Sequence, residues 1–200
     1  MPRDFMTDPG QLRDLEGQQY LVLRPTGAVM HEFDRVQDAA RRRLGDTARY
    51  PGAAHVTLRG LYEPQRVDEV RAVVREWAAA QHPIDIVFEA VDSFPAPWQI
   101  VIARLKRTPS LVGAYATLTE ALDRTDLRRI GELPLDDWTF HLSTVYAKRL
   151  APAEWEELAR EVSREYPAPP AETVAEAEFV TYHDGTEHRE VFPLGAAASL

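Results

Sequence analysis

The chain has no cysteine. Disulfides, thiolate metal sites and a thiol nucleophile are therefore all excluded. It also lacks any apolar run long enough to span a bilayer, and its first residues, MPRDFMTDPGQLRDLEGQQ, contain no stretch of signal-peptide character. Those absences lead us to expect a soluble, cytoplasmic protein. Lysine is nearly missing, since Lys106 and Lys148 are the only lysines among 23 basic residues. Positive charge is outweighed throughout, with a formal net charge of −9. Such a balance argues against tight binding to a long duplex backbone, which needs many cationic phosphate contacts. It leaves open a small or terminal phosphate held by a few donors in a cleft.

The 200 residues carry 44% hydrophobic side chains, an ordinary globular content. Their pattern repeats. QQYLVLRP (18–25) predicts a strand, and HEFDRVQDAARRRLG (31–45) predicts a helix with Phe33, Val36, Ala40 and Leu44 on one side. A strand around AAHVTLRG (53–60), a helix after Pro64 with Val67, Val70, Val74 and Trp77, and a strand over 84–94 complete the first half. The second half runs in the same order. It has a strand over 98–106, a helix over 110–126, a strand over 138–147, a helix over 151–167 with Pro152 in its first turn, and a final strand leading to a hairpin at Asp184-Gly185. Twice-repeated β-α-β-α-β order predicts an α+β protein: one bilobal domain over 18–192, with repeats at about 18–94 and 98–192 and antiparallel-rich sheets around a central cleft. Residues 1–17 are then an N-terminal extension and 193–200 a C-terminal tail.

The corresponding strand of each half holds the same small motif, His55-Val56-Thr57 in one and His141-Leu142-Ser143 in the other. Alternation along a strand puts Val56 and Leu58 on the core face, with His55 and Thr57 opposite. Phe140 and Leu142 likewise oppose Thr139, His141 and Ser143. Lobes related by a pseudo-twofold axis would bring two imidazoles and two hydroxyls together. Two histidines titrating near neutrality can supply the base that activates water and the acid that protonates a departing alkoxide. The hydroxyls can hold phosphate oxygens while charge moves. Nothing in that set requires a metal or a cofactor.

The pair HVTL and HLST, one lobe apart, resembles the paired H-x-[ST]-x motifs of the 2H phosphoesterase superfamily, also described as the 2′-5′ RNA ligase-like or RNA cyclic phosphodiesterase family. The resemblance covers roughly Tyr20 to Phe192. It implies metal-independent hydrolysis of a 2′,3′-cyclic phosphate, on an RNA terminus or a small nucleotide, to a 2′-phosphate. It makes His55 and His141 catalytic and gives Thr57 and Ser143 the phosphate. Thr144 stands where many members carry an aliphatic residue, and its core-side position makes this a packing variation. A nucleotide- or RNA-end-binding module with the same fold and little turnover is the alternative. An ATP-dependent ligase finds no support, because no Walker-type G-x-x-x-x-G-K-[ST] loop is present.

Simple alternation places Arg59 on the His55 face, as a substrate contact or a surface ion pair. Tyr62, Phe94, Trp98 and Tyr146 lie near strand ends, where they can stack on a base or close a core. The run Arg41-Arg42-Arg43 reads as a solvated helix end. His31, His82, His183 and His188 read as surface residues without metal-ligand spacing. A monomer without a membrane partner is the expected form.

Overall fold

The computed structural model describes residues 3–195. Five α-helices occur among them: α1 (Pro9–Asp14), α2 (Ala28–Leu44), α3 (Val67–Ala80), α4 (Pro109–Asp123) and α5 (Pro152–Val162). The strands are β1 (Gln19–Leu23), β2 (Val56–Leu61), β3 (Ile84–Phe94), β4 (Ile100–Leu105), β5 (Arg129–Ile130), β6 (His141–Tyr146), β7 (Arg164–Glu165), β8 (Ala171–Val174), β9 (Glu176–His183) and β10 (Thr186–Pro193). No described helix is long and apolar enough to cross a membrane. The tail expected over 193–200 begins at the end of β10, and residues 196–200 lie outside the described residues.

Local signals explain the helix starts. Thr108 caps α4 by accepting from the Leu111 amide at 3.2 Å, and Pro109 takes the first turn, where no amide is needed. At α2, the carboxylate of Glu172 on β8 takes over the capping role. It accepts from the amides of Thr26, Gly27 and Val29 at 2.6–3.0 Å, where the helix end carries partial positive charge. Along α2, Val29, Phe33, Val36 and Ala40 form the buried stripe.

Two antiparallel sheets form, in strand order β10-β9-β1-β2-β5 and β6-β4-β3-β7, with β8 pairing the first half of β3. The fold is therefore the duplicated α+β arrangement, but its lobes are not the contiguous halves 18–94 and 98–192. Strand β3, from the first repeat, pairs with β4 of the second, while β9 returns to pair with β1. Helix α2 packs on β6, again across the repeat boundary, as well as on β3 of its own repeat. A long antiparallel hairpin from β3 into β4 is locally accessible, whereas keeping β3 in the first sheet would need a further crossover. One large hydrophobic cluster consequently runs through both sheets.

The segment before residue 18 is no appendage. Phe5 is 1% exposed and joins Val22, Ala53, Val180 and Tyr182 in a second, smaller cluster on the other face of the first sheet. Glu187 holds this strap by accepting from the Phe5 and Met6 amides at 3.0 and 2.9 Å. Gly52 lets it approach, because a Cβ there would lie 2.2 Å from the Asp4 carbonyl oxygen.

Candidate active site

Strands β2 and β6, each carrying one motif, lie beside each other. The loop before β2 is stitched to β6 by paired backbone bonds, Arg49 N to Tyr146 O at 2.9 Å and Tyr146 N to Arg49 O at 2.8 Å. Gln37, buried on α2, adds a brace: its amide donates to the Pro51 carbonyl at 2.9 Å and the Thr144 carbonyl at 3.1 Å. Replacing Gln37 by Leu would strand both buried carbonyls, at a cost of about 1–3 kcal/mol in stability. Chemical denaturation of the Gln37→Leu variant checks this, and a wild-type midpoint would refute the bracing role.

The two motifs share a distortion. In β2, Val22 pairs with Thr57 and Leu21 with Arg59, leaving Leu58 as an extra residue. In β6, Ile102 pairs with Ser143 and Val101 with Val145, leaving Thr144 in the same role. Each bulge sits one residue after the motif hydroxyl and inverts the alternation beyond it. This corrects the placement of Arg59. Its side chain turns to the core face, 1% exposed, and pairs with Glu132 at 2.7 Å while donating to Tyr115 Oη and Thr119 Oγ1. It cannot reach substrate in the cleft. The matching inversion in β6 brings Tyr146 onto the cleft side. Thr144 is fully buried as expected, and its hydroxyl donates to the Val101 carbonyl at 2.8 Å, beside the irregular pairing.

A cavity of about 200 Å³ is lined by His55, Thr57, Ser143 and Tyr146, with Phe5, Met6, Leu15, Tyr20, Val22, Val180 and Tyr182 closing it. His141 stands outside that wall, on the Ser143 face of β6, yet close enough for its charge to oppose protonation of His55. The imidazoles have parallel settings. Nδ1 of His55 faces the Ala53 carbonyl at 3.3 Å, and Nδ1 of His141 faces the Thr139 carbonyl at 2.8 Å. With a carbonyl as acceptor, Nδ1 carries the proton and Nε2 is left for chemistry. An aromatic edge braces each ring: Phe5 at 4.6 Å from His55 and Phe94 at 4.8 Å from His141, centroid to centroid.

Desolvation lowers the pKa of both histidines, that of His55 to about 4, with the His141 and Arg24 charges adding to the burial. Burial raises the pKa of Tyr146, and the neighbouring Ser143 hydroxyl works against that rise. Among the described residues, no cluster of three His, Cys, Asp or Glu side chains is arranged to hold a metal ion.

The other expected contacts do not converge here. Tyr62 is 38% exposed under Arg128, outside the cavity. Trp98 is exposed beneath Lys148. His31, His82, His183 and His188 are exposed, the last two stacked on each other across the β9–β10 hairpin. The cleft-closing residues Phe5, Met6, Leu15 and Tyr182 went unrecognised in the sequence. Only the apolar character of Phe5 and Met6 ahead of the first strand hinted at them.

The family model of the 2′-5′ RNA ligase superfamily matches residues 29–186. The chain belongs to this superfamily. Its fold, with the two motifs on neighbouring bulged strands, is that of the 2H phosphoesterases, and a phosphoesterase-type role comes with membership. No curated protein sequence matches the chain. Among solved structures, it is similar to TT0787 of Thermus thermophilus, at 17% identity and a TM-score of 0.64, covering 89% of this chain and 98% of that one. Escherichia coli LigT complexed with NADP+ has a TM-score of 0.55 at 14% identity, over 90% of this chain and 98% of LigT. Kluyveromyces marxianus Usb1 is similar at 12% identity with a TM-score of 0.55, over 90% and 100% of the two chains. Between this superfamily member and those structures, the fold agrees while most of the sequence does not.

Proposed function

We propose that the protein is a metal-independent phosphodiesterase that opens a 2′,3′-cyclic phosphate, on an RNA end or a nucleotide, to a 2′-phosphate. The observation that carries this reading is the duplicated setting of His55 and His141. Each follows the same strand geometry, keeps its Nδ1 proton on a carbonyl, and stands beside a motif hydroxyl. The structures of LigT with NADP+, 3′-AMP and ATP support a nucleotide-sized ligand.

His55 is the base. Burial is the main force opposing a charge on His55, and His141 and Arg24, which lies 3.8 Å from the Phe5 ring and is paired with Glu178 at 2.6 Å, add to it. Neutral His55 Nε2 takes a proton from water as the water oxygen bonds to phosphorus. The bond from phosphorus to the 3′-oxygen breaks, and protonated His141 delivers its proton to that oxygen. Thr57 and Ser143 hold non-bridging oxygens, and Tyr146 lines the same wall as the two hydroxyls.

Both histidines are depressed in the free protein, so the singly protonated pair exists on the acid side of neutrality. An anionic phosphate in the cleft favours the protonated form and moves the pair back up. The expected result is a bell-shaped kcat/KM profile with its optimum below that of kcat, since the first reports free protein and the second the complex. Hydrolysis of 2′,3′-cyclic nucleotides across this range, with product analysis and with excess EDTA, tests the reading. Turnover that dies on chelation and returns with a divalent ion would replace it with metal-bound hydroxide chemistry. Binding without turnover would establish the binding-module alternative.

A further inference from the structure

The 200 Å³ cavity is small for a nucleotide, since ligand pockets usually enclose roughly 300–1,000 Å³. It does not end blindly. Met6, Leu15 and Tyr146 also line a second cavity of about 410 Å³, so the two abut through a shared partition. The rest of the second wall is Gln11, Asp14, Thr47, Arg49, Lys148 and Arg149, three cations against one carboxylate.

That balance stands out in a chain of net charge −9. Several arginines elsewhere are surrounded by acids: Arg66 is shared by Glu63, Glu69 and Asp126, and Arg104 by Glu89, Asp92 and Glu165. In the second cavity Arg49 alone is paired, to Asp8 at 3.0 Å. Lys148 has only the Trp98 ring, at 5.9 Å, and neither it nor Arg149 forms an ion pair with a described residue. The backbone of all three is tied to the strand that carries the reacting groups. Arg49 is bridged by its backbone to Tyr146, and Lys148 and Arg149 follow β6 directly, so the strand that carries His141 and Ser143 also delivers the cations.

We propose that this second cavity is a subsite for a phosphate on the 5′-oxygen of the same nucleoside whose 2′,3′ end lies in the histidine cleft. Arg49, Lys148 and Arg149 bind it. The proposal rests on the phosphodiesterase reading for its kinetic form but not for its binding form. A 5′-phosphate can come from an internucleotide linkage of an RNA end or from a free nucleotide, and both present the same anion to the same cations.

The kinetic arm compares adenosine 2′,3′-cyclic phosphate, its 5′-monophosphate and the dinucleotide ApA ending in a 2′,3′-cyclic phosphate. Wild-type protein should favour one or both 5′-phosphorylated substrates by roughly tenfold to a hundredfold in kcat/KM, as expected for charge-assisted contacts in a cleft. The ratio should fall toward one in the Lys148→Ala, Arg149→Ala double variant and at high salt. A larger gain with the dinucleotide assigns the RNA end, and an equal or larger gain with the 5′-monophosphate assigns the free nucleotide. The binding arm uses calorimetry with adenosine 2′-monophosphate and adenosine 2′,5′-bisphosphate and needs no turnover. Tighter binding of the bisphosphate that the double variant abolishes supports the subsite even if no cyclic phosphate is hydrolysed, which would count against the phosphodiesterase reading alone. Equal binding of the two ligands by wild type, or a preference that survives in the double variant, overturns the subsite.

Discussion

His55→Ala and His141→Ala should each lower kcat by roughly 10²–10⁴-fold on a 2′,3′-cyclic nucleotide, the usual worth of a positioned acid or base. The two losses should not add, because removing one member of a proton-transfer pair leaves the other with no productive step. Their pH profiles should differ in sign. Without the base His55, what remains depends on protonated His141, so residual activity falls as pH rises through the His141 pKa. Without the acid His141, residual activity depends on neutral His55 and falls as pH drops through the His55 pKa, which stands near 4 in the free protein. Thr57→Ala and Ser143→Ala each remove one neutral hydrogen bond and should cost far less. Single-turnover assays on the four variants decide the matter: histidine variants with wild-type rates would remove both residues from the chemistry.

Glu132→Ala should destabilise the protein by about 3 kcal/mol while leaving the cleft intact, because it leaves the Arg59 guanidinium buried without its counter-charge. For a chain of this length, that corresponds to a fall in Tm of roughly 6–12 °C. Tyr115 Oη and Thr119 Oγ1 still accept from Arg59 in the variant, which keeps the loss from growing further. The Glu132→Leu, Arg59→Met double variant should recover much of the stability, since an apolar pair carries no desolvation cost. Thermal denaturation and kcat/KM below the transition are the paired readouts. A stable Glu132→Ala variant with lost kcat/KM would return Arg59 to the substrate.

The chain's own pattern was enough to place most elements. The predicted strand over 84–94 coincides with β3, and the predicted helix over 31–45 overlaps α2, because apolar spacing and stop residues act within a few residues of each other. The end of the chain was less accurate: the single strand expected before Asp184-Gly185 is split into β8 and β9, and residues 164–165 leave the predicted helix to form β7. Both H-x-[ST] motifs were also legible, since each is a local string on a strand with one apolar face. What lay beyond reach depended on partners distant in the chain. The bulges at Leu58 and Thr144 are defined by register against β1 and β4, and they alone decide that Arg59 turns inward while Tyr146 faces the cleft. The exchange of β3 and β9 between sheets is a choice among pairings that alternation leaves equivalent. The strap at Phe5 exists because Glu187, 182 residues away, satisfies its amides, and because Gly52 leaves it room. Sequence by itself determined the residues able to do the chemistry and the elements that carry them. Tertiary structure decided which of them meet, because strand register, sheet exchange and desolvation are properties of contacts between segments and are carried by no segment alone.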